Sequence, residues 1–220
     1  MTTAIIGVGN LGSALARHLV GGDEPIVLAA KDDSHAEAVS QEIGPLARAA
    51  SIEYAIATAH IVVFAVWLDT IKDLIAEHGD LLHSRVVVDP SNPLGFDENG
   101  QVLRTLPDDQ SSGSVVAALL PADAHYVKAF GTLRADALAS AANREPRRAV
   151  LFYATDDDIA AGTVERLIRA AGFEPLKAGG VDAALRIEMP GGDLHQMGLN
   201  GELLDLDRAR EVLATTEVTA

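Results

Sequence analysis

Three glycines near the start of the chain have the spacing of a dinucleotide-binding turn. Gly7, Gly9 and Gly12 form a G-x-G-x-x-G motif that follows the apolar run Ala4–Ile6 and opens an amphipathic helix. Gly7 permits a tight turn, Gly9 lets the backbone approach a diphosphate, and Gly12 lets the helix pack closely on the strand. The N–H groups of the helix's first turn then face the phosphates. The motif therefore predicts a dinucleotide site; the alternative is a turn with a purely structural role.

The residues after the second apolar run indicate which nicotinamide cofactor the site prefers. The predicted strand from Pro25 to Ala30 is followed by Lys31. An NAD site needs a carboxylate here for the ribose hydroxyls, whereas an NADP site needs a cation for the 2′-phosphate. Asp32 and Asp33 would oppose a phosphate if they faced it, but they can instead cap the helix that follows. Lys31 therefore favours NADP; the alternative is an exposed loop lysine.

Ligands of open α/β sheets bind beyond the carboxyl ends of the strands, so the residues after three later apolar runs are further candidates. These residues are Ala65-Val66-Trp67, Ser91-Asn92-Pro93-Leu94 and Ala129-Phe130-Gly131-Thr132. Trp67, the sole tryptophan, forms either a wall of the site or part of the core. Asn92 either contacts the ribose or the carboxamide of the cofactor or marks a turn before Pro93.

No residue pattern indicates acid, base or metal catalysis. The chain has no cysteine, no two histidines at metal-ligand helix spacing and no Ser-His-Asp set in a supporting context. The nicotinamide of such a cofactor reacts by hydride transfer, which needs contact, orientation and exclusion of water and no acid or base. We therefore expect no catalytic side chain and no metal site. His195, in a glycine-rich segment, has either a role in the site or that of a structural loop histidine.

Two hydrophobic periodicities alternate from residue 3 to about residue 180. Short runs rich in Val and Ile are typical of strands buried on both faces of a parallel sheet. These runs are Ala4–Ile6, Ile26–Leu28, Ile61–Val66, Val86–Val88, Tyr126–Phe130 and Val150–Tyr153. Segments with helical spacing lie between them, as in Leu11, Leu15 and Leu19. The alternation predicts an α/β fold with a Rossmann-type, doubly wound and mainly parallel sheet.

Two stretches have neither period. The long loop from Pro90 to Gly113 follows a strand end, where ligand-binding loops are common. The irregular segment from Arg186 to Gly201 precedes a short helix from Leu206 to Leu213. We therefore divide the chain into a nucleotide-binding domain, residues 1–180, and a C-terminal extension, residues 181–220. The extension is too small to fold alone, so we expect it to cover the site or to contact a partner subunit in a homodimer.

Composition limits the classes of protein that the chain can belong to. Its 48% hydrophobic and 22% charged residues are close to the globular average, which excludes wholesale disorder. Its net charge of −15 repels nucleic acid and anionic lipid. The longest apolar run, Ile61–Leu68, is far too short to span a bilayer, and the N-terminus lacks the features of a secretory signal. We therefore expect a cytoplasmic protein with a small-molecule substrate and neither a nucleic-acid nor a membrane partner.

Four motifs in matching order resemble those of the NADPH-dependent coenzyme F420 reductases. The motifs are Gly7–Gly12, Ala65–Trp67, Asp89–Leu94 and Val127–Leu133, and the likeness extends from residue 1 to about residue 180. Proteins of this family exchange a hydride between the nicotinamide of NADP and a deazaflavin that stacks against it. The resemblance therefore implies NADP as the cofactor and coenzyme F420 as the co-substrate.

The resemblance also implies roles for individual residues. It places Asn10 and Leu11 at the diphosphate, and Lys31 where the family has an arginine at the 2′-phosphate. The residues that it places around the nicotinamide are Val66, Trp67, Asn92 and Pro93. The residues that it places near the deazaflavin are those of the stretch Ala129–Leu133, among them Phe130 and Thr132. For the acidic tail of a deazaflavin, the candidate cations are Arg134, Arg144, Arg147 and Arg148. The last three are better explained as a solvated surface run before a strand.

The C-terminal part departs from the family, which leaves the second substrate open. The family ends in a mainly apolar helical segment, whereas this chain has the polar, glycine-containing stretch Ile187–His195. A flavin, an imine or a keto acid is an alternative to the deazaflavin, and a non-catalytic NADP sensor is the alternative to an enzyme. Imine and keto-acid reductases usually add a large helical domain, and only about 40 residues follow residue 180, which weakens that interpretation.

Overall fold

The computed structural model describes residues 1–217, which form ten strands and nine α-helices. The strands are β1 (Thr3–Ile6), β2 (Ile26–Ala29), β3 (Ala47–Ala49), β4 (Ile61–Phe64), β5 (Val86–Asp89), β6 (Leu94–Phe96), β7 (Val102–Arg104), β8 (His125–Lys128), β9 (Val150–Ala154) and β10 (Glu174–Gly179). The helices are α1 (Asn10–Gly21), α2 (Asp33–Ile43), α3 (Ile52–Thr58), α4 (Leu68–His78), α5 (Ser112–Leu119), α6 (Ala135–Ser140), α7 (Asp158–Ala170), α8 (Ala184–Ile187) and α9 (Leu206–Glu217). Strands β6 and β7 form a separate antiparallel hairpin, and the other eight form one sheet.

The large sheet has the strand order β10-β9-β8-β5-β4-β1-β2-β3. Its six strands from β8 to β3 are parallel, and Thr3 of β1 pairs with Ile26 on one side and Ile61 on the other. Strands β9 and β10 are parallel to each other but antiparallel to β8, where Lys128 pairs with Ala154. This arrangement confirms the predicted Rossmann-type, doubly wound and mainly parallel sheet.

Alternate residues of the central strands enter two hydrophobic cores, one on each face of the sheet. Ile5 and Val63 pack with Leu15 of α1 on one face. Phe64 packs with Ile71 of α4 on the other. Burial on both faces is the reason why these strands are uninterrupted apolar runs.

Several predicted boundaries are wrong. Strand β4 ends at Phe64 and β8 at Lys128, each two residues before the apolar run ends. Phe130 has a φ of +65°, which is incompatible with an extended strand, so the chain leaves the sheet there. The stretch from Pro90 to Gly113 is not a simple loop, because it contains the β6–β7 hairpin and the start of α5. The C-terminal helix continues past Leu213.

The segment that follows β10 packs against the sheet of its own chain. Ile187, Leu194 and Leu204 are buried with Phe152 of β9 in a third hydrophobic cluster. The backbone N–H of Val150 also donates a hydrogen bond to the Leu204 carbonyl at 2.8 Å. The boundary at residue 180 stays a prediction, and the last three residues of the proposed extension, 218–220, lie outside the described residues.

Across residues 1–217, no helix combines the length and the apolar character needed to cross a membrane. In the same range, no group of three or more His, Asp or Glu residues is arranged so that it could hold a metal ion.

Candidate functional site

A cavity of about 700 Å³ lies at the carboxyl ends of β1, β4 and β5. Its lining consists of Gly7, Gly9, Asn10, Leu11, Ala65, Val66, Trp67, Thr70, Pro90, Ser91, Asn92, Leu94, Leu133, Arg134, Ala135, Met189 and His195. The strand order reverses beside β1, and open α/β sheets bind ligands at such a point. A second groove, of about 630 Å³, runs along α1 and shares Gly9, Asn10 and Ala135 with the cavity.

The glycine turn at one end of the cavity fits a diphosphate. Gly7 has a φ of +104°, and a Cβ there would lie 2.5 Å from the Ala65 carbonyl oxygen. A Cβ on Gly12 would lie 2.0 Å from the Gly7 carbonyl oxygen, so Gly12 packs the helix onto the turn. Gly9, by contrast, has no protein atom within 4 Å of such a Cβ, and its face is open to a ligand.

Helix α1 offers its first N–H groups to this open face. Gly9 is the N-cap residue, and no side chain caps the helix. The N–H groups of a first turn have no partner within their own helix, and the helix dipole adds a positive potential there. The first turn also contains no acidic residue. Asn10 and Leu11, the predicted diphosphate contacts, both line the cavity at this point.

Asp32, which follows β2, uses its side chain to cap helix α2. Asp32 is the N-cap of α2, and its Oδ1 accepts hydrogen bonds from the Ser34 N–H at 3.0 Å and the Ser34 hydroxyl at 2.7 Å. These bonds lower the pKa of Asp32 below its usual value. Lys31 is exposed and lies outside the cavity lining. Of the two roles open to Asp32, the structure thus shows the cap.

Trp67 forms a wall of the cavity and is not a core residue. It is the N-cap residue of α4, and its side chain is 58% exposed. Its ring meets that of Phe96, from the β6–β7 hairpin, edge to face with centroids 6.0 Å apart. Val66, the residue before it, also lines the cavity. The end of β4 therefore supplies an aromatic and aliphatic wall.

The side-chain amide of Asn92 joins three loops. Its Nδ2 donates to the Gly131 carbonyl at 3.2 Å, and its Oδ1 accepts from the Met189 N–H at 2.7 Å. Asn92 lines the cavity, but both ends of its amide are already engaged by the protein. A hydrogen bond to the ribose or carboxamide, which the sequence left open, would compete with these two.

Six of the predicted site residues lie outside the cavity lining. They are Gly12, Lys31, Pro93, Ala129, Phe130 and Thr132. Ala129, Phe130 and Thr132 are at most 2% exposed, because the chain turns inward at Phe130. The wall beyond β8 is formed instead by the next residues, Leu133 to Ala135.

His195 is buried at the cavity, with 1% of its surface exposed. Its Nδ1 accepts a hydrogen bond from the Met197 N–H at 3.1 Å. Burial lowers the pKa of His195 to about 4, and a hydrogen bond with the Gly131 backbone opposes only part of this shift. The imidazole is therefore uncharged at neutral pH. Of the two roles considered for His195, its position at the cavity supports one in the site.

Thr70 and Met189 line the cavity but are not predicted from the sequence. Thr70 lies one helical turn after Trp67, and this spacing is a signal that could have identified it. Met189 carries no such signal because it belongs to a segment without periodicity. Of the four candidate cations, only Arg134 lines the cavity, where it pairs with Asp136 at 3.1 Å. Arg147 instead binds Asp205 and Asp207 on the surface.

Comparisons with known proteins find relatives in sequence and in fold. Residues 2–93 match the family model described as NADP oxidoreductase coenzyme F420-dependent. The chain is 30% identical over 184 residues to the metalloreductase STEAP3 of Rattus norvegicus, covering 84% of this chain and 35% of that protein. The chain therefore spans about a third of the length of this relative.

Two solved structures resemble the chain over nearly its whole length. The hypothetical protein SMa0349 of Sinorhizobium meliloti is 30% identical, with a TM-score of 0.81 and coverage of 93% of this chain and 95% of that one. A proposed F420-dependent NADP reductase of Arthrobacter sp. FB24 is 22% identical, with a TM-score of 0.75 and coverage of 91% and 95%. The second likeness shows the fold alone.

The family match includes the glycine turn and the ends of β4 and β5, which together supply most of the cavity. Residues 2–93 thus form a domain of the coenzyme F420-dependent NADP oxidoreductase family.

Proposed function

We propose that this protein transfers a hydride directly between NADP(H) and a deazaflavin of the coenzyme F420 type, with both rings in one cavity. The main support is the continuity of the cavity from the glycine turn to the walls formed by Trp67, Leu133 and Met189. Its volume of about 700 Å³ lies in the upper half of the range usual for ligand pockets, roughly 300–1,000 Å³. This volume supports the presence of two ring systems side by side.

In this proposal, the first turn of α1 holds the diphosphate of NADP. The N–H groups of Asn10 and Leu11 donate to it, and Gly9 allows its close approach. Lys31 pairs with the 2′-phosphate at the end of β2. The capping role of Asp32 supports this assignment, because the carboxylate next to Lys31 is already bonded to Ser34.

The walls of the cavity position the rings and exclude water. NADPH, when bound, supplies two electrons and a hydrogen as a hydride and is left as NADP⁺, while water supplies the further proton of the reduced deazaflavin. Val66, Trp67 and Met189 present mainly apolar surface, so they can hold planar rings in contact without hydrogen bonds. Close contact and fixed orientation are what a direct hydride transfer requires.

The lining offers no good proton donor, and this supports a ring acceptor over an imine or a keto acid. His195 has a pKa of about 4, so it carries no readily donated proton at neutral pH. Among the described lining residues, the one charged side chain is that of Arg134, which remains protonated. Reduction of a carbonyl or an imine is assisted by a proton donor at the heteroatom next to the reacting carbon, which this wall does not provide, whereas a deazaflavin can take its proton from solvent at a more distant ring nitrogen after the hydride has been transferred.

Arg134 is the candidate contact for the acidic tail of the deazaflavin. It lines the cavity, and its side chain is 55% exposed at the rim. Its partner Asp136 is also exposed, so an anionic ligand can compete for the guanidinium. A local cation of this kind offsets the repulsion expected from a protein of net charge −15.

Spectroscopy of the full chain with NADPH tests the proposal. Separate reactions receive coenzyme F420, FMN, a cyclic imine or a small keto acid, and NADPH oxidation is followed by absorbance. We expect turnover with coenzyme F420 and little with the other three. Turnover that is fastest with FMN, the imine or the keto acid would contradict the proposed acceptor. NADPH binding by calorimetry without any oxidation would instead support a sensor.

A further inference from the structure

A buried ionic cluster lies behind the part of the cavity wall that Ser91 and Met189 form. It consists of Asp89 at the end of β5, Lys128 at the end of β8 and Glu188 after α8, with side chains 0%, 2% and 0% exposed. Lys128 Nζ lies 3.0 Å from Asp89 Oδ2 and 3.2 Å from Glu188 Oε1. One lysine therefore faces two carboxylates at a place without access to water.

Glu188 is also bound by the start of helix α5. Its Oε2 accepts a hydrogen bond from the Ser112 N–H at 2.9 Å. Its Oε1 accepts from the Gly113 N–H and from the Ser112 hydroxyl, each at 2.8 Å. These are the first N–H groups of the helix, where the dipole favours a negative charge. A Cβ on Gly113 would lie 2.7 Å from that of Ala184, so the glycine is what lets α8 come this close to α5.

The cluster is connected to residues of the cavity on two sides. Asp89 Oδ1 accepts from the Ser91 N–H at 2.8 Å, and Lys128 donates to the Ser91 carbonyl. On the other side, Met189 follows Glu188 in the chain and donates its N–H to Asn92 Oδ1. The turn after β5 and the C-terminal segment are therefore held by the same group of charges.

Stability alone is a poor explanation for such a cluster. The cost of taking charges out of water offsets much of their attraction, and apolar residues of similar size are often at least as stabilising. The three hydrogen bonds from α5 to Glu188 and its ion pair with Lys128 do, however, define one position for the chain that follows it. A cluster of this kind is therefore well suited to fix the position of the chain segment after Glu188.

We propose that Glu188 is a positioning residue that holds the segment Met189–His195 as the C-terminal wall of the cavity. It acts on the reaction through Met189 and does not touch a ligand itself. The kinetic consequences rest on the proposed function, whereas the structural consequences do not. Because the glycine turn lies on a different element, loss of Glu188 should affect the acceptor more than NADPH.

Amide hydrogen exchange of the full chain tests the structural part. In E188Q, a neutral carboxamide replaces the carboxylate, so one negative charge is lost. The NH2 group of the carboxamide is a donor and cannot accept hydrogen bonds from the N–H groups of α5. We expect exchange of residues 189–196 to become about tenfold faster, as the loss of a hydrogen bond to a charged group implies. Exchange of residues 3–21, which include the glycine turn, should stay unchanged.

A matched control is available at Glu24, another buried carboxylate. It is 7% exposed, accepts a hydrogen bond from Thr3 Oγ1 at 2.8 Å and does not line the cavity. E24Q should leave the exchange of residues 189–196 at its original rate. If E188Q does not alter that exchange, or if E24Q alters it equally, the proposal is wrong. Should E188Q fail to fold, S112A removes one hydrogen bond to Glu188 and should give a smaller, local increase.

Kinetics with NADPH and coenzyme F420 separate positioning from folding. We expect E188Q to raise the KM for coenzyme F420 about tenfold while the Kd of NADPH changes less than about twofold. An equal loss of affinity for coenzyme F420 and for NADPH would contradict the positioning role. If the original protein does not reduce coenzyme F420, the proposed function fails, and hydrogen exchange still decides whether Glu188 holds the segment.

Discussion

Lys31 is the residue on which the choice between NADP and NAD depends. It follows β2 as the cation nearest in sequence to the predicted 2′-phosphate position, and Asp32 beside it is bonded to Ser34. We expect K31A to raise the Kd of NADPH about tenfold, because a charge-assisted bond to the phosphate is lost. The Kd of NADH should not change.

Calorimetry with both nucleotides measures this difference, and Lys177 provides the control. Lys177 is exposed on β10 and lies outside the cavity lining. K177A should bind NADPH as the original protein does. An equal loss of NADPH and NADH affinity in K31A would rule out a specific role at the 2′-phosphate.

His195 should make the stability of the fold depend on pH. Its pKa is about 4 in the folded protein and about 6.5 in an unfolded chain. Between these values the unfolded chain binds more protons, so the free energy of unfolding falls as the pH is lowered. Through His195, the free energy of unfolding should be lower by about 1 kcal/mol at pH 5.5 than at pH 7.5.

Urea unfolding at the two pH values tests this expectation with H195N. Asparagine can keep the hydrogen bond that Nδ1 accepts from the Met197 N–H, but it does not titrate. The variant should therefore lose about 1 kcal/mol less than the original protein on going from pH 7.5 to pH 5.5. The same pH dependence in both proteins would show that burial does not depress the pKa of His195.

At the scale of elements, the turn between β1 and α1 has two glycines with different surroundings. A Cβ at Gly12 would collide with the Gly7 carbonyl, whereas one at Gly9 would meet no protein atom within 4 Å. We expect G12A to lower the thermal midpoint by roughly 10 °C or to prevent folding. G9A should shift the midpoint by less than about 2 °C but reduce NADPH affinity about tenfold, because its methyl group would lie where the diphosphate approaches.

Thermal unfolding and calorimetry of the two variants distinguish a ligand site from a structural turn. Gly9 has a φ of −69°, which alanine adopts without strain, so a folding defect is not expected there. If G9A binds NADPH as well as the original protein does, the open face of the turn is not the diphosphate site.

The elements that the sequence predicted best are those buried on both sides. Strands β1, β4 and β5 are predicted from continuous apolar runs. The runs are continuous because both faces of each strand enter a hydrophobic core. The sequence predicts the ends of β4 and β8 two residues too late. Apolar residues continue past both strands for reasons unrelated to strand formation. Val66 goes on to line the cavity, and Phe130 turns back into the core.

The site could be predicted where it depends on strand ends and not where it depends on distant ion pairs. Val66, Trp67 and Asn92 are found because each follows a strand whose position is evident from its pattern. The position of Met189 depends on the pairing of Glu188 with Lys128, 60 residues earlier, and no local periodicity encodes such a contact.

At the scale of the whole molecule, apolar side chains remain exposed near the cavity. Phe96, Val102 and Met197 are 60%, 50% and 48% exposed, and exposed apolar residues of this kind often mark an interface. We continue to expect a homodimer, with a mass of about twice 23.0 kDa by light scattering. A mass of 23 kDa at every concentration tested would contradict this expectation.

The central claim is that hydrogen passes directly from NADPH to the ring of the acceptor within one cavity. NADPH carrying deuterium at C4 of the nicotinamide, prepared as each of its two diastereomers, is incubated with the protein and coenzyme F420. Mass spectrometry of the reduced deazaflavin then reports where the label is. One diastereomer should deliver its deuterium to the deazaflavin and the other should retain it in NADP⁺. Appearance of the label in water, or no reduction at all, would contradict direct transfer.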